Sequence, residues 1–141
     1  MGQYHRLVNL DKQEWVDPHG LGLGSKQYEH TGAFDGSLAD AMYLLVMSSP
    51  ARGGGDWPQT DASGRWAGDR VVVLGDYTEN NEVKGIENVK EFYKKMESDF
   101  VNITHEVREG FKKVFHLEYK SKPATWDPTY VVWEVKDSEV I

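Results

Sequence analysis

The sequence contains no cysteine, which excludes a disulfide-stapled secreted scaffold, a thiolate-ligated zinc module and a cysteine nucleophile. It also lacks a long hydrophobic run, since its longest strongly apolar stretch, residues 41–47, is far shorter than the ~20 residues that span a bilayer. No basic segment followed by an apolar run stands at the N-terminus, so we expect no secretory signal. These absences predict a cytoplasmic protein that does not engage membranes.

Basic side chains are the minority: 16 lysines and arginines stand against 23 acidic residues, for a formal net charge of −7 at pH 7. We therefore expect no broad cationic surface for a phosphate backbone and no direct binding of nucleic acid. Aromatic residues are plentiful, at 12% of the chain, which argues against disorder and lets a small protein bury a core. The length of 141 residues fits one domain over residues 1–141.

Hydrophobic periodicity predicts three strands and three helices. Alternating or continuous apolar residues predict strands at 3–10, 71–74 and 129–135, the second of them buried on both faces. Apolar residues at helical spacing predict helices over about 38–47, 89–100 and 104–115. Because the order lacks a regular β-α-β alternation, we expect an α+β fold with a small, mostly antiparallel sheet and about three helices on one face.

Two of these helices carry recognisable start signals. Ser37 and Asp40 form a capping-box-like pattern, in which the hydroxyl accepts from a first-turn N–H group. The hydroxyl of Thr104 is expected to cap the third helix in the same way.

The first candidate site is a run of three glycines, Gly53, Gly54 and Gly55, between Arg52 and Asp56. Glycine backbone N–H groups approach an anion closely, and an arginine could clamp it with two hydrogen bonds. The run nevertheless follows a predicted helix and lacks the Gly-Lys-Ser/Thr ending of a phosphate-binding loop. A tight connection that uses the positive φ of glycine is the favoured interpretation, and an anion-binding loop is the alternative.

The second candidate site flanks the predicted strand 71–74, with Trp66, Asp69 and Arg70 before it and Asp76 and Tyr77 after it. Groups just outside the ends of a strand are held rigidly while loops expose them. Turn capping and surface charge pairing are the favoured interpretation of the Asp-Arg pair. Asp76 could act as a base or a metal carboxylate, but one carboxylate does not make a site.

The five histidines are dispersed and show no metal-binding spacing. A site assembled from Asp17, His19 and Asp76 is the alternative to surface or hydrogen-bonded histidines, and we expect no metal and no cofactor. The chain also lacks a Gly-x-Ser-x-Gly nucleophile elbow. No catalytic constellation emerges, which favours a protein that is not an enzyme.

At residues 2–12, 18–19, 52–56 and 64–77, and more loosely at 102–104, the chain resembles a group of small bacterial and phage-associated proteins. The resemblance covers roughly the first half of the chain. It implies that the Arg-Gly-Gly-Gly-Asp loop and the Trp-Ala-Gly-Asp-Arg segment are signatures of the group, and that the setting is a mobile genetic element. It supplies no reaction.

Together these patterns favour a cytosolic, non-enzymatic binding protein that engages a protein partner through the two signature segments and through the exposed aromatic residues Trp57 and Trp66. The acidic charge favours a partner with a basic surface. A phage-encoded inhibitor of a host system would fit this description.

Two alternatives belong to other functional classes. In the first, a small enzyme or sensor holds a phosphate-bearing ligand, with or without a divalent metal, through Arg52 and Arg70, while Asp69 or Asp76 supplies a carboxylate and His19 assists. In the second, the protein is a structural virion component that packs as a homo-oligomer.

Overall fold

The computed structural model describes residues 3–32 and 35–137, together with the side chains up to residue 135. Six strands and three α-helices lie within these residues. In chain order they are β1 (His5–Asn9), β2 (Glu14–Val16), α1 (Leu38–Val46), β3 (Val71–Gly75), α2 (Val89–Asp99), β4 (Val101–Asn102), α3 (Thr104–Phe115), β5 (Leu117–Pro123) and β6 (Val131–Asp137). Short 3-10 helices occupy Pro18–Leu21 and Gln27–Glu29. No described helix has both the length and the apolar character needed to cross a membrane.

Four strands form one sheet in the order β3-β1-β2-β4, and β5 and β6 form a separate two-stranded hairpin. β1 pairs antiparallel with both β2 and β3, whereas the short β4 pairs parallel with β2. The α+β class and the mostly antiparallel sheet are confirmed, and so are the three helices.

β1 lies at the centre of the sheet and buries both of its faces. Successive strand residues point to opposite faces, so Leu7 and Val8, both fully buried, enter different clusters. The cluster around Leu7 takes its helical side chains from α1 and α3, and the cluster around Val8 takes them from α2. The helices therefore cover both faces of the sheet, whereas the pattern predicted one face, because β1 and β2 are apolar on both sides.

β3 is correctly predicted as a strand, but the prediction that both of its faces are buried is wrong. β3 is an edge strand that pairs with β1 alone in the described sheet, and Val73 remains 46% exposed. A continuous apolar run is typical of a buried strand, but the run cannot show which strand will lie at the edge.

The start of α1 is confirmed and the predicted cap of α3 is wrong. Ser37 accepts a hydrogen bond from the backbone N of Asp40, whose carboxylate accepts from Ser37 in return. Thr104 instead lies inside the first turn of α3, where its hydroxyl donates to Asn102 Oδ1 at 2.5 Å and accepts from the backbone N of Asp17 at 2.8 Å. Its hydroxyl joins loops rather than capping the helix.

Replacing Ser37 by alanine is expected to lower the free energy of unfolding by about 1–2 kcal/mol, because the backbone N–H of Asp40 loses the buried Ser37 hydroxyl as its acceptor. Urea denaturation followed by circular dichroism measures the change. Ser48→Ala, at an exposed position just past the end of α1, is the matched control and should remain within about 0.5 kcal/mol of the wild type. Equal effects of the two substitutions would contradict the capping role.

Candidate functional site

The Arg-Gly-Gly-Gly-Asp loop closes on its own carboxylate. Asp56 Oδ2 accepts from the backbone N of Arg52 at 2.9 Å and of Gly53 at 2.7 Å. Gly54 and Gly55 have open space around them, and the side chain of Arg52 is exposed. Two of the amides that would face an external anion are thus already occupied, which is the behaviour of a tight connection.

The prediction that Trp66 is an exposed anchor is wrong. Its indole is fully buried in the α1–α3 core, and its Nε1 donates to Glu14 Oε1 at 2.8 Å. Trp57 is half-buried between the rings of Tyr43 and Phe115, with centroid distances of 5.2 and 5.1 Å. Both indoles stabilise the fold, so they do not form an exposed patch.

Asp69 and Arg70 are used in surface pairs with the turn between β1 and β2. Asp69 accepts a hydrogen bond from Asn9 Nδ2 at 2.9 Å and forms an ion pair with Lys12. The hydrogen bond from Lys12 lowers the pKa of the Asp69 carboxyl most, and the hydrogen bond from Asn9 lowers it further. Arg70 Nε donates to Asp11 Oδ1 at 3.0 Å. Asp69 and Arg70 therefore close a turn and form surface charge pairs, as the favoured interpretation of their sequence predicted.

Asp76, Tyr77 and His19 lie near the opposite end of β3. Asp76 Oδ1 accepts from the backbone N of Tyr4 at 2.9 Å, and Tyr77 is exposed. His19 places Nδ1 3.1 Å from the carbonyl of Leu23. His19 and Asp76 line the same cavity, but Arg52, Asp69 and Arg70 lie elsewhere, so the structure does not assemble the predicted phosphate site.

That cavity has a volume of about 950 Å³ and lies between the sheet, α2 and the β5–β6 hairpin. Its walls are rich in aromatic rings and carboxylates. We call it the aromatic cleft and define it by Tyr4, Trp15, Tyr93, Trp126, Tyr130 and Trp133, with Arg6 and the carboxylates of Asp17, Glu29, Asp76 and Glu97. A smaller hollow of about 320 Å³ shares Asp17, His19, Tyr130 and Trp133 with it and extends it to Arg108.

Arg6 is held between aromatic rings inside the cleft. Its Cζ lies 3.9 Å from the ring centroid of Tyr93 and 4.9 Å from that of Trp15. Nη1 donates to the carbonyl of Tyr93 at 2.6 Å, and Nη2 lies 3.3 Å from Glu97 Oε2. The cleft thus already satisfies one guanidinium group with ring faces, a carbonyl and a carboxylate.

Arg108 makes a second such arrangement at the other end. Its Cζ lies 3.7 Å from the ring centroid of Trp133, and its Nη1 donates to the carbonyl of Gly20 at 2.8 Å. Burial lowers the pKa of Arg108 from its ordinary high value. This side chain connects α3, the 3-10 helix Pro18–Leu21 and the hairpin, and so holds the wall of the cleft in place.

Three rings stand exposed at the rim of the cleft: Tyr4, Trp126 and Tyr130. The centroids of Trp126 and Tyr130 lie 6.1 Å apart, and Trp126 is 74% exposed. Burial raises the pKa of Tyr130 and of Tyr93, so both phenols stay neutral at pH 7. Exposed aromatic surface next to polar groups is typical of interaction sites.

The charge of the cleft is negative. Asp17 Oδ1 accepts from the backbone N of His19, and Glu29 Oε2 accepts from that of Gly24. Among the described side chains, which end at residue 135, no lysine or arginine forms an ion pair with Asp17, Glu29 or Asp76. Three carboxylates that line the cleft thus have no ion-pair partner within this part of the chain.

The part of the chain that the structure describes contains no group of three or more His, Asp or Glu side chains that could hold a metal ion.

No family model, curated protein or solved structure matches the chain. The exposed rings of the cleft, and carboxylates that have no ion-pair partner among the described side chains, suit a cationic group.

The alternative site predicted from Asp17, His19 and Asp76 lies in the cleft, but the sequence patterns did not predict the other residues that line it. Arg6 and Tyr93 are 87 residues apart, so no local pattern joins them. The Trp and Tyr residues at 126, 130 and 133 form a local cluster that could have drawn attention to this segment. What the cluster could not show is that the hairpin folds over the face of β1 and β2.

Proposed function

We propose that the protein is a non-enzymatic binding protein that captures a basic segment of a protein partner in the aromatic cleft. The observation that carries this proposal is that the cleft is lined both by three carboxylates with no ion-pair partner among the described side chains and by the exposed rings of Tyr4, Trp126 and Tyr130. The phage or mobile-element setting stays a prediction.

The internal arginines support a cationic ligand. Arg6 over Tyr93 and Arg108 over Trp133 are two guanidinium groups bound by ring faces within the cleft and its extension. An arginine or lysine from a partner would meet the exposed rings of Tyr4, Trp126 and Tyr130, together with carboxylates that form no ion pair with Arg6 or Arg108. Each such contact is worth about 0.5–2 kcal/mol.

A peptide segment suits the cleft in size and polarity. A volume of about 950 Å³ lies at the upper end of the ~300–1,000 Å³ range of ligand sites, which leaves room for more than one side chain. The −7 net charge would speed the approach of a basic partner.

A phosphate-bearing ligand is the less favourable occupant, because the carboxylates of the cleft would repel it and Arg6 is already enclosed. A structural virion component also stays a prediction.

An arginine-rich peptide labelled with a fluorophore is expected to bind the wild-type protein, and the double substitution Trp126→Ala/Tyr130→Ala is expected to weaken binding roughly tenfold. Fluorescence anisotropy at low and high salt measures the affinity, which should fall as salt rises. Tyr77→Ala is the matched control, because Tyr77 is exposed and does not line the cleft, and its affinity should equal that of the wild type.

An acidic peptide of the same length tests charge selectivity and should not bind. Absence of binding by the arginine-rich peptide at low salt would overturn the proposal. An unchanged affinity in the double variant would also overturn it, because the peptide would then bind another acidic part of the surface.

A further inference from the structure

The outer edge of β3 has open hydrogen-bonding groups at Val71 and Val73, whereas the backbone N of Gly75 donates to Thr78 Oγ1 at 3.0 Å. β1 and β3 form backbone hydrogen bonds at every second residue. At the two ends of the pair, Asp76 N donates to the carbonyl of Tyr4 at 3.1 Å and Leu10 N donates to the carbonyl of Arg70 at 2.9 Å. This alternation directs the N–H and C=O groups of the odd-numbered residues away from β1. In the described residues no other strand pairs with this edge.

The edge also lacks the usual protection against pairing. Val71–Gly75 contains neither a charge nor a proline, and Val73 is 46% exposed. Beside Val73 lies a largely apolar hollow of about 260 Å³ that Leu7, Leu38 and Met42 also line. Edge strands of soluble monomers normally carry charges, proline or a covering element, so this edge is suited to strand addition.

The sequence around Val73 makes the edge complementary to itself. Arg70 stands three residues before Val73 and Asp76 three residues after it. Antiparallel pairing of two copies about a two-fold axis at Val73 places the two Val73 side chains opposite each other and Arg70 of each copy opposite Asp76 of the other. The side chain of Arg70 is 69% exposed, and it bonds Asp11 through Nε alone among the described residues, while only Oδ1 of Asp76 accepts a hydrogen bond from a described residue.

We propose that the protein forms a two-fold homodimer through antiparallel pairing of β3 with β3 of a second copy, centred on Val73. The two Val73 residues exchange N–H···O=C bonds, and Val71 N donates to the carbonyl of Gly75 across the axis. Thr78 N already donates to the Gly75 carbonyl at 3.1 Å, but a carbonyl oxygen accepts two bonds. Gly75 N donates to Thr78 Oγ1 at 3.0 Å, so the proposed ladder uses no bond from that N–H group. The dimer joins two four-stranded sheets into one, and Asp76 is the residue that it shares with the aromatic cleft as defined above.

Light scattering coupled to size-exclusion chromatography is expected to give a mass about twice the 16.1 kDa of the chain. Val73→Lys and Val73→Glu should each be monomeric, because like charges then face each other across the axis. An equimolar mixture of the two variants should recover the dimer. Val101→Lys, at an exposed valine on the other edge of the sheet, is the control and should remain dimeric.

A monomeric wild-type protein would overturn the proposal, and so would dimeric Val73→Lys. Two monomeric variants that fail to pair when mixed would show that Val73 does not lie on the axis. Circular dichroism verifies that each variant folds. If a Val73 variant does not fold, the test is repeated with Arg70→Glu and with the compensating double variant Arg70→Glu/Asp76→Arg. The single variant should weaken dimerisation at least tenfold, and the double variant should recover most of it.

Discussion

Replacement of Glu14 by alanine is expected to lower the free energy of unfolding by about 2–4 kcal/mol. The Glu14 carboxylate is 9% exposed and accepts from Arg65 Nε at 3.1 Å, from Arg65 Nη2 at 2.6 Å and from Trp66 Nε1 at 2.8 Å. Its removal leaves a buried indole N–H and a guanidinium without acceptors. Because Arg65 is one-third exposed, water recovers part of the loss.

Urea denaturation measures this change, with Glu118→Ala as the matched control. Glu118 is also a strand glutamate, but it is exposed and forms neither a hydrogen bond nor an ion pair with a described side chain, so its replacement should change stability by less than about 0.5 kcal/mol. Glu14→Gln keeps an acceptor for the indole, so its loss in free energy of unfolding should lie between those of Glu14→Ala and Glu118→Ala. A loss below about 1 kcal/mol in Glu14→Ala would contradict the role assigned to this carboxylate.

The same contacts give the stability a pH dependence. The hydrogen bonds from Arg65 lower the pKa of Glu14 in the folded protein. In the unfolded chain the pKa of a glutamate is about 4.3. The unfolded state therefore binds this proton first. The stabilisation is fully present above about pH 4.3 and is lost as the pH falls through the lower folded-state pKa. Glu14→Gln should lack this part of the acid dependence when denaturation is repeated between neutral and acidic pH.

The second large effect is expected for Arg108→Ala, which should release the β5–β6 hairpin from the rest of the protein and lower the free energy of unfolding by about 2–4 kcal/mol. Arg108 joins the carbonyl of Gly20 to the ring of Trp133, and it is 9% exposed. A two-stranded hairpin is marginal in water without such support. Loss of the hairpin would also remove one wall of the aromatic cleft.

Hydrogen exchange of the β6 amides measures this release, and exchange there should quicken more than in β1. Arg108→Lys keeps the positive charge but loses the planar group that covers Trp133, so its effect should be intermediate. Binding of the arginine-rich peptide should weaken in Arg108→Ala. Unchanged protection of β6 would show that other contacts hold the hairpin.

Those other contacts include a close backbone approach at Gly22. Its φ of 78° lies in the left-handed region, and a Cβ there would come within 2.5 Å of Val135 Cγ2. Glycine is required at this position by both its conformation and the space that the hairpin leaves.

Local patterns predicted the parts of the fold that local physics determines. The Ser37 cap and the apolar spacing of the helices identify α1, α2 and α3, and the runs at 71–74 and 129–135 identify β3 and β6. The patterns missed β2 and β4, which are only three and two residues long, and the polar β5. Such strands form because a neighbour offers them pairing, which their own sequences do not show.

The candidate site was less predictable because it depends on distant partners. Trp66 was expected at the surface, but its indole is buried and donates a hydrogen bond to Glu14, which lies 52 residues away in the sequence. Asp69 and Arg70 look the same in sequence whether they face a ligand or pair with Lys12 and Asp11. Only the three-dimensional arrangement separates these outcomes.

The burial of β1 on both faces has a consequence for how the sheet selects its alignment. A one-residue slip of β1 would exchange Leu7 and Val8 between the two cores, and each core would still receive an aliphatic side chain of similar size. Asn9 removes this ambiguity: its Oδ1 accepts from the backbone N of Asp11 at 2.9 Å and of Lys12 at 2.8 Å, and its Nδ2 donates to Asp69. The hydrogen bonds of one fully buried amide thus help to distinguish the observed alignment from its neighbours, which the burial of Leu7 and Val8 alone does not do.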